Sequence, residues 1–569
     1  MIDRLLRGGT VVDGTGAPGV VADVGIAGGR VVGIGPTDEA ARETVDVDGM
    51  VVAPGFIDLH THYDAQALWD PTLSPSPLHG VTTVIGGNCG FTIAPLGSEH
   101  AEYVMRMMAR VEGMSLRALE AGPEWTWNTF GEFLDRLDGS LAINAAFMVG
   151  HSTLRRVAMG DAAVGGTATG EQIDTMVALA HEAMGAGAFG LSSSLGDAHT
   201  DGDGAPVPSR SAQRDEFLAL AAAVRDHPGT TLEFIPAVGE ISDDRMQLMA
   251  DMSLAANRPL NWNLLGSLSP TEIYEQQLRS SDVATAKGAR VMALTLPDLM
   301  RMRASHLLGS MPGWRNVMRM PDDERRAALR DEALRARLRD GVEQAARGGL
   351  DAMNNFDLIE IADGAYAGRT VAAVAHDLGV EPSTVLIDVV LADLLPLTLV
   401  LPSLVPSLGA SREGWVERAR IWRDPRVMLG GSDAGAHVDL MCHANYPTVV
   451  LGHAARDLGV VTVEEAVHLM TERPARLLGL RERGRIAAGF VADLVVFDPD
   501  RVASKPAQLL HDMPAGAERL HAAAIGVERV IVGGRDVCVG GAFTGDRAGQ
   551  LLRSGRDTDT VTVPGGATA

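Results

Sequence analysis

The chain has 569 residues, 46% of them hydrophobic and 21% charged, which is enough apolar material for a large core and more than one domain in an ordinary globular protein. With 49 basic and 73 acidic residues its formal net charge is −24, which argues against nucleic acid and membrane surfaces as partners, since both ask for a cationic face. Cys89, Cys442 and Cys538 are too few for a disulfide framework, so a reducing compartment, the cytoplasm, is expected.

Residues 1–54 read as short β segments separated by Gly and Asp turns. The opening MIDRLLRGGTVVDGTG has no apolar run typical of a signal peptide, so none is expected. From 55 to 475, apolar strand-like runs alternate with helix-like runs, the pattern of a TIM-type (β/α)8 barrel. Eight strands are expected at 55–62, 81–87, 144–150, 188–194, 230–236, 258–265, 290–296 and 427–433. A charged helical insertion, read as a solvated helix or lid, falls at about 305–350. The apolar stretch 386–405 contains Asp388, Asp393 and two prolines, which favours buried barrel structure over a membrane span. Residues 476–545 return to the β texture of the first 54, so the two ends are expected to build one small β-sandwich domain. Residues 546–569 are polar and are expected to fray.

The sharpest chemical signal is His60-Thr61-His62, closing the first expected strand. Residues i and i+2 on a strand point the same way, so two imidazoles can share one divalent metal at the barrel's C-terminal mouth. Asp433, closing the eighth strand, offers an oxygen ligand and a proton acceptor for an activated water. His151, after the third strand, is placed to bind substrate or hold an oxyanion, or else to cap a loop. Arg155 could fork onto a substrate carboxylate, and Ser193, Asn263 and His437 stand where side chains would meet substrate. There is no GxSxG elbow to support a serine hydrolase.

In order along nearly the whole chain, PGFIDLHTHYD, GVTTVIGGNCGFTIAP, GHSTLRRVAMG, GAFGLSSSL, GGSDAGAH and RPARLLGLRERGRIAAGFVADLVVFDP resemble the D-aminoacylase (N-acyl-D-amino-acid deacylase) branch of the amidohydrolase superfamily. The resemblance implies metal-dependent hydrolysis of an amide, with a cyclic amide or imide as the alternative substrate. It also implies that Cys89, in GNCG, is a metal ligand, with zinc the expected ion because a thiolate binds it well. Homo-oligomers are common in the superfamily, so one is expected here.

The chain departs from the family where the fifth and sixth strands would each supply a histidine: no histidine occurs between His227 and His306. Glu233, Asn261 and Asn263 stand near those places. The carboxylated lysine of related enzymes has no counterpart either, because the only lysines are Lys287 and Lys505. Three readings follow: one metal on His60, His62, Asp433 and Cys89 with Glu233 helping; two metals with Glu233 as a substitute ligand; or a degenerate site in a protein that binds without hydrolysing. The family's substrate-contacting lysine and tyrosine are also absent, so the reaction class carries over and the substrate does not.

Overall fold

The computed structural model describes residues 1–565 except 38, 238, 266–270, 304–307, 309–312, 319, 321, 348–355, 358, 362–363, 367–368, 393–396 and 402–410. Each of the eight expected strand regions contains a strand. In order they are Phe56–Asp58, Val81–Gly86, Asn144–Phe147 continued by Val149–Gly150, Gly190–Ser194, Thr231–Ile235, Leu260–Trp262, Val291–Thr295 and Val427–Leu429. Consecutive strands pair in parallel from first to eighth. All are buried along their length, as parallel strands covered on both faces must be. Just past the eighth strand, the Asp433 N–H donates to the His60 carbonyl (3.2 Å) and the His62 N–H to that of Ala434 (2.7 Å). Thr61 and Ala434 form a parallel bridge there.

The two chain ends meet in one nine-stranded sheet. Val51–Pro54 pairs antiparallel with Leu494–Phe497, so the sheet is complete only when residue 50 and residue 500 come together. Leu6, Val24, Ile26, Val52, Leu494 and Ile531 fill its core.

Two regions differ from the sequence reading. Between the seventh and eighth strands the described residues from 300 to 401 build more than a solvated helix. They include an antiparallel sheet of Met300–Arg303, Leu397–Leu401, Ile359–Ile361 and Arg369–Thr370. Trp314, Leu338, Ile359, Val374 and Ile387 form a core of their own beneath it. The described residues of 386–405 belong to this unit and not to the eight parallel strands: they end the helix Pro382–Ala392 and form the strand Leu397–Leu401. Among the described residues no helix is long and apolar enough to cross a membrane.

The described residues of the C-terminal segment, up to 565, pack against the rest of the chain. Leu551 and Leu552 are buried, Leu551 bridges Ala145 at the start of the third strand, and Thr558 donates to the Gly229 carbonyl (2.8 Å) before the fifth. Two adjacent leucines and Val563 within a polar tail supply the apolar contact that holds it.

Candidate metal centre and active site

His60 and His62 leave the first strand on the same side, their ring centroids 5.1 Å apart. Cys89 reaches them from the turn after the second strand. Its backbone is left-handed (φ +57°), which is uncommon for a side-chain-bearing residue. The turn passes so close to the third strand that a Cβ at Gly87 would lie 2.3 Å from the Met148 carbonyl oxygen. The Asp64 carboxylate accepts the Gly87 N–H (3.0 Å) and fixes the same turn. Asp433 is also left-handed (φ +58°), and this turns its carboxylate back over the first strand. Asp58, which sequence reasoning passed over, is buried and takes the N–H groups of both His60 and Ser432, tying the ends of the first and eighth strands together.

The donor atoms converge. Cys89 Sγ lies 3.3 Å from His60 Nε2 and 3.8 Å from His62 Nε2. Asp433 Oδ1 lies 3.3 Å from the first and 3.4 Å from the second. A tetrahedral zinc with ligand bonds of about 2.0–2.3 Å has donor–donor edges of roughly 3.3–3.8 Å. These four separations fall in that range, and among the described residues His60, His62 and Cys89 form the compact group able to hold a cation.

The electrostatics fit the same conclusion. Burial works against a charged His62, yet Glu112 beside it and the hydrogen bond to Asp433 outweigh burial and lift the imidazole to about 9. Burial, followed by the repulsion of Glu233 and Glu112, holds the Cys89 thiol well above its usual range. Burial also raises Glu233 to about 8 and Glu112 to about 7. Asp433 goes the other way, because hydrogen bonds from His60 and His62 overcome its burial. Burial thus holds the Cys89 thiol and the Glu112 and Glu233 carboxyls above their usual ranges, and a cation beside them would lower all three.

Glu112 is the residue that sequence reasoning missed. It caps the helix Ala101–Val111, its Oε2 3.4 Å from His62 Nε2 and 3.9 Å from His437 Nε2. Nothing in the local string VEGM marks it, because it reaches the site from a loop and not from a strand end. His437 also approaches Asp433 Oδ2 (4.0 Å), and its own left-handed backbone (φ +48°) bends the loop inward.

Glu233 sits behind the cluster. Its Oε2 accepts the Cys89 N–H (2.8 Å) and its Oε1 lies 3.8 Å from His60 Nδ1, the nitrogen turned away from the thiol. From there it touches both Cys89 and His60. Asn263 Nδ2 contacts His60 Nε2 at 2.9 Å and approaches Nδ1 more closely, so this residue meets His60 directly.

His151, Ser193 and Arg155 form a separate, fully buried network. His151 Nδ1 bonds Ser193 Oγ (2.8 Å) and Nε2 bonds Glu216 Oε1 (2.7 Å), so both ring nitrogens are already engaged and neither is left for an oxyanion. Burial lowers its pKa against the pull of Glu216. Arg155 ion-pairs with Glu216 and donates to the Gly166 carbonyl (2.7 Å), so its fork grips the protein's own carboxylate, not a substrate's. Arg155→Ala should therefore cost about 3–5 kcal/mol by leaving Glu216 buried and uncompensated. Urea unfolding would show it, with metal content unchanged in the folded variant; a loss below about 1 kcal/mol would contradict a buried pair.

Residues 43–538 match the Amidohydrolase family, and the chain belongs to that family. It is a metal-dependent hydrolase acting on carbon–nitrogen bonds other than peptide bonds. Its specific likeness is to the N-acyl-D-amino-acid deacylases. D-aminoacylase of Alcaligenes xylosoxydans xylosoxydans is 32% identical over 553 residues, 97% of each chain. A crystal structure of D-aminoacylase matches with a TM-score of 0.64 at 28% identity, over 97% of this chain and 100% of that one. The N-acyl-D-glutamate deacylase of Bordetella bronchiseptica, solved with zinc and a phosphonate mimic of the tetrahedral intermediate, gives 0.63 at 25% with the same coverage.

Proposed function

We propose that this chain is an N-acyl-D-amino-acid deacylase working with one zinc ion, held by His60, His62, Cys89 and Asp433. The observation that carries the reading is that Cys89 Sγ and Asp433 Oδ1 each approach both imidazole Nε2 atoms, at 3.3–3.8 Å and 3.3–3.4 Å. The thiolate favours zinc over harder cations. The architecture fits a closed (β/α)8 barrel over residues 55–475, supported by the Thr61–Ala434 bridge between the ends of the first and eighth strands, with the terminal sheet as a second domain. Three unpaired cysteines agree with a cytoplasmic location.

When bound, the cation supplies Lewis acidity to the scissile carbonyl and acidity to the attacking water. The chain's own residues do the rest. Asp433 directs Oδ1 at the two imidazoles and leaves Oδ2 towards His437, placed to take a proton from water and return it to the departing nitrogen. Glu233 and Asp64 hold the Cys89 turn. The buried walls exclude bulk water.

The test is amine release from paired N-acetyl-D- and N-acetyl-L-amino acids, before and after chelation. Turnover of D-substrates that is lost on chelation and restored by zinc is the expected result. Activity confined to cyclic amides, or untouched by complete removal of metal, would overturn the reading.

A further inference from the structure

We infer that Glu112 is a further carboxylate ligand of the same cation, reaching the site from outside the parallel strands and making up for the donors missing from the fifth and sixth. The inference rests on the cation site proposed above. Glu112 Oε2 stands 3.4 Å from His62 Nε2, the same spacing at which Asp433 Oδ1 meets that imidazole. A separation of that size is what two donors sharing one cation would show.

The placement makes little sense as structure alone. Glu112 is 3% exposed. Among the described residues its ion-pairing neighbours are the imidazoles of His62 and His437, with no arginine or lysine. A buried carboxylate without a permanent cation is costly. It also follows the last turn of a helix, where the dipole disfavours negative charge. A bound divalent cation removes both penalties.

The backbone holds the carboxylate firmly. Val104, Met107, Met108 and Val111 bury one face of the helix. The Glu112 carbonyl then accepts the His437 N–H (2.5 Å), linking this loop to the one that bears Asp433. Gly113 has φ +56°, and a Cβ there would lie 2.9 Å from His437 Nδ1, so the crossing of the two loops requires glycine. A loop held this tightly delivers its carboxylate to one place.

The test uses full-length protein loaded with zinc or cobalt(II), comparing wild type with Glu112→Gln and Glu112→Asp. Zinc affinity is read by competition with a chromophoric chelator, and donor number by the visible absorption of the cobalt form. Removing a ligand is expected to cost zinc affinity on the order of 10²-fold or more. It should also raise the cobalt absorptivity as the donor set shrinks, with Glu112→Asp intermediate in both. Wild-type affinity and an unchanged cobalt spectrum in folded Glu112→Gln would overturn this inference and leave the four-donor site standing. A wild-type protein that takes up neither metal would overturn both.

Discussion

Asp433→Asn is expected to lower kcat about 10³–10⁴-fold while KM changes by no more than a few-fold, a loss of roughly 4–5.5 kcal/mol in transition-state stabilisation. Asparagine tolerates the left-handed backbone at φ +58° nearly as well as aspartate, so the loop should keep its path. The amide oxygen can still face the imidazoles that Oδ1 meets at 3.3 and 3.4 Å. What the substitution removes is a group able to accept a proton and give it back. Steady-state kinetics on an N-acyl-amino acid, beside metal analysis of the same preparation, would decide. More than a tenth of wild-type kcat with metal still bound would show that another group moves the proton. His437 would then be the first to examine, since its Nε2 lies 4.0 Å from Asp433 Oδ2.

The fold was readable because burial leaves a simple trace in parallel strands. VTTVIG and its counterparts are short apolar runs set between Gly-rich turns, and each yielded a strand. His60 and His62 were readable because period-2 geometry forces them together, and Asp433 because it ends the eighth such run. Cys89 needed the family resemblance, since only the left-handed turn explains how the end of the second strand delivers a thiol to the first. Glu112 was not readable: it is a lone acid after a helix, brought in by long-range packing. Arg155 misled for the opposite reason. Its position near a strand end suggested substrate, but Glu216, 61 residues further on, takes its charge in the core. The tail misled because composition averages over residues, and three buried apolar side chains among many polar ones are enough to seat it.

Cys89→Ser should produce the largest change in metal binding. A hydroxyl is a harder and weaker donor than a thiolate, so zinc affinity is expected to fall by more than about 10²-fold, with relative preference moving towards manganese. Glu233→Gln should act differently. Glu233 holds the Cys89 N–H at 2.8 Å and stands behind His60 at 3.8 Å, so it works through two ligands, and its loss is expected to cost roughly 10- to 100-fold. The pair therefore separates a donor from a group that orients donors. Both variants would be titrated with zinc and with manganese against the same chelator. In the serine variant the ratio of the two affinities should shift, whereas in the glutamine variant both should fall together and the ratio should hold. A changed ratio in Glu233→Gln would place that carboxylate on the cation itself. An unchanged ratio in Cys89→Ser would remove the thiolate from the site and leave His60, His62 and the carboxylates to hold the metal.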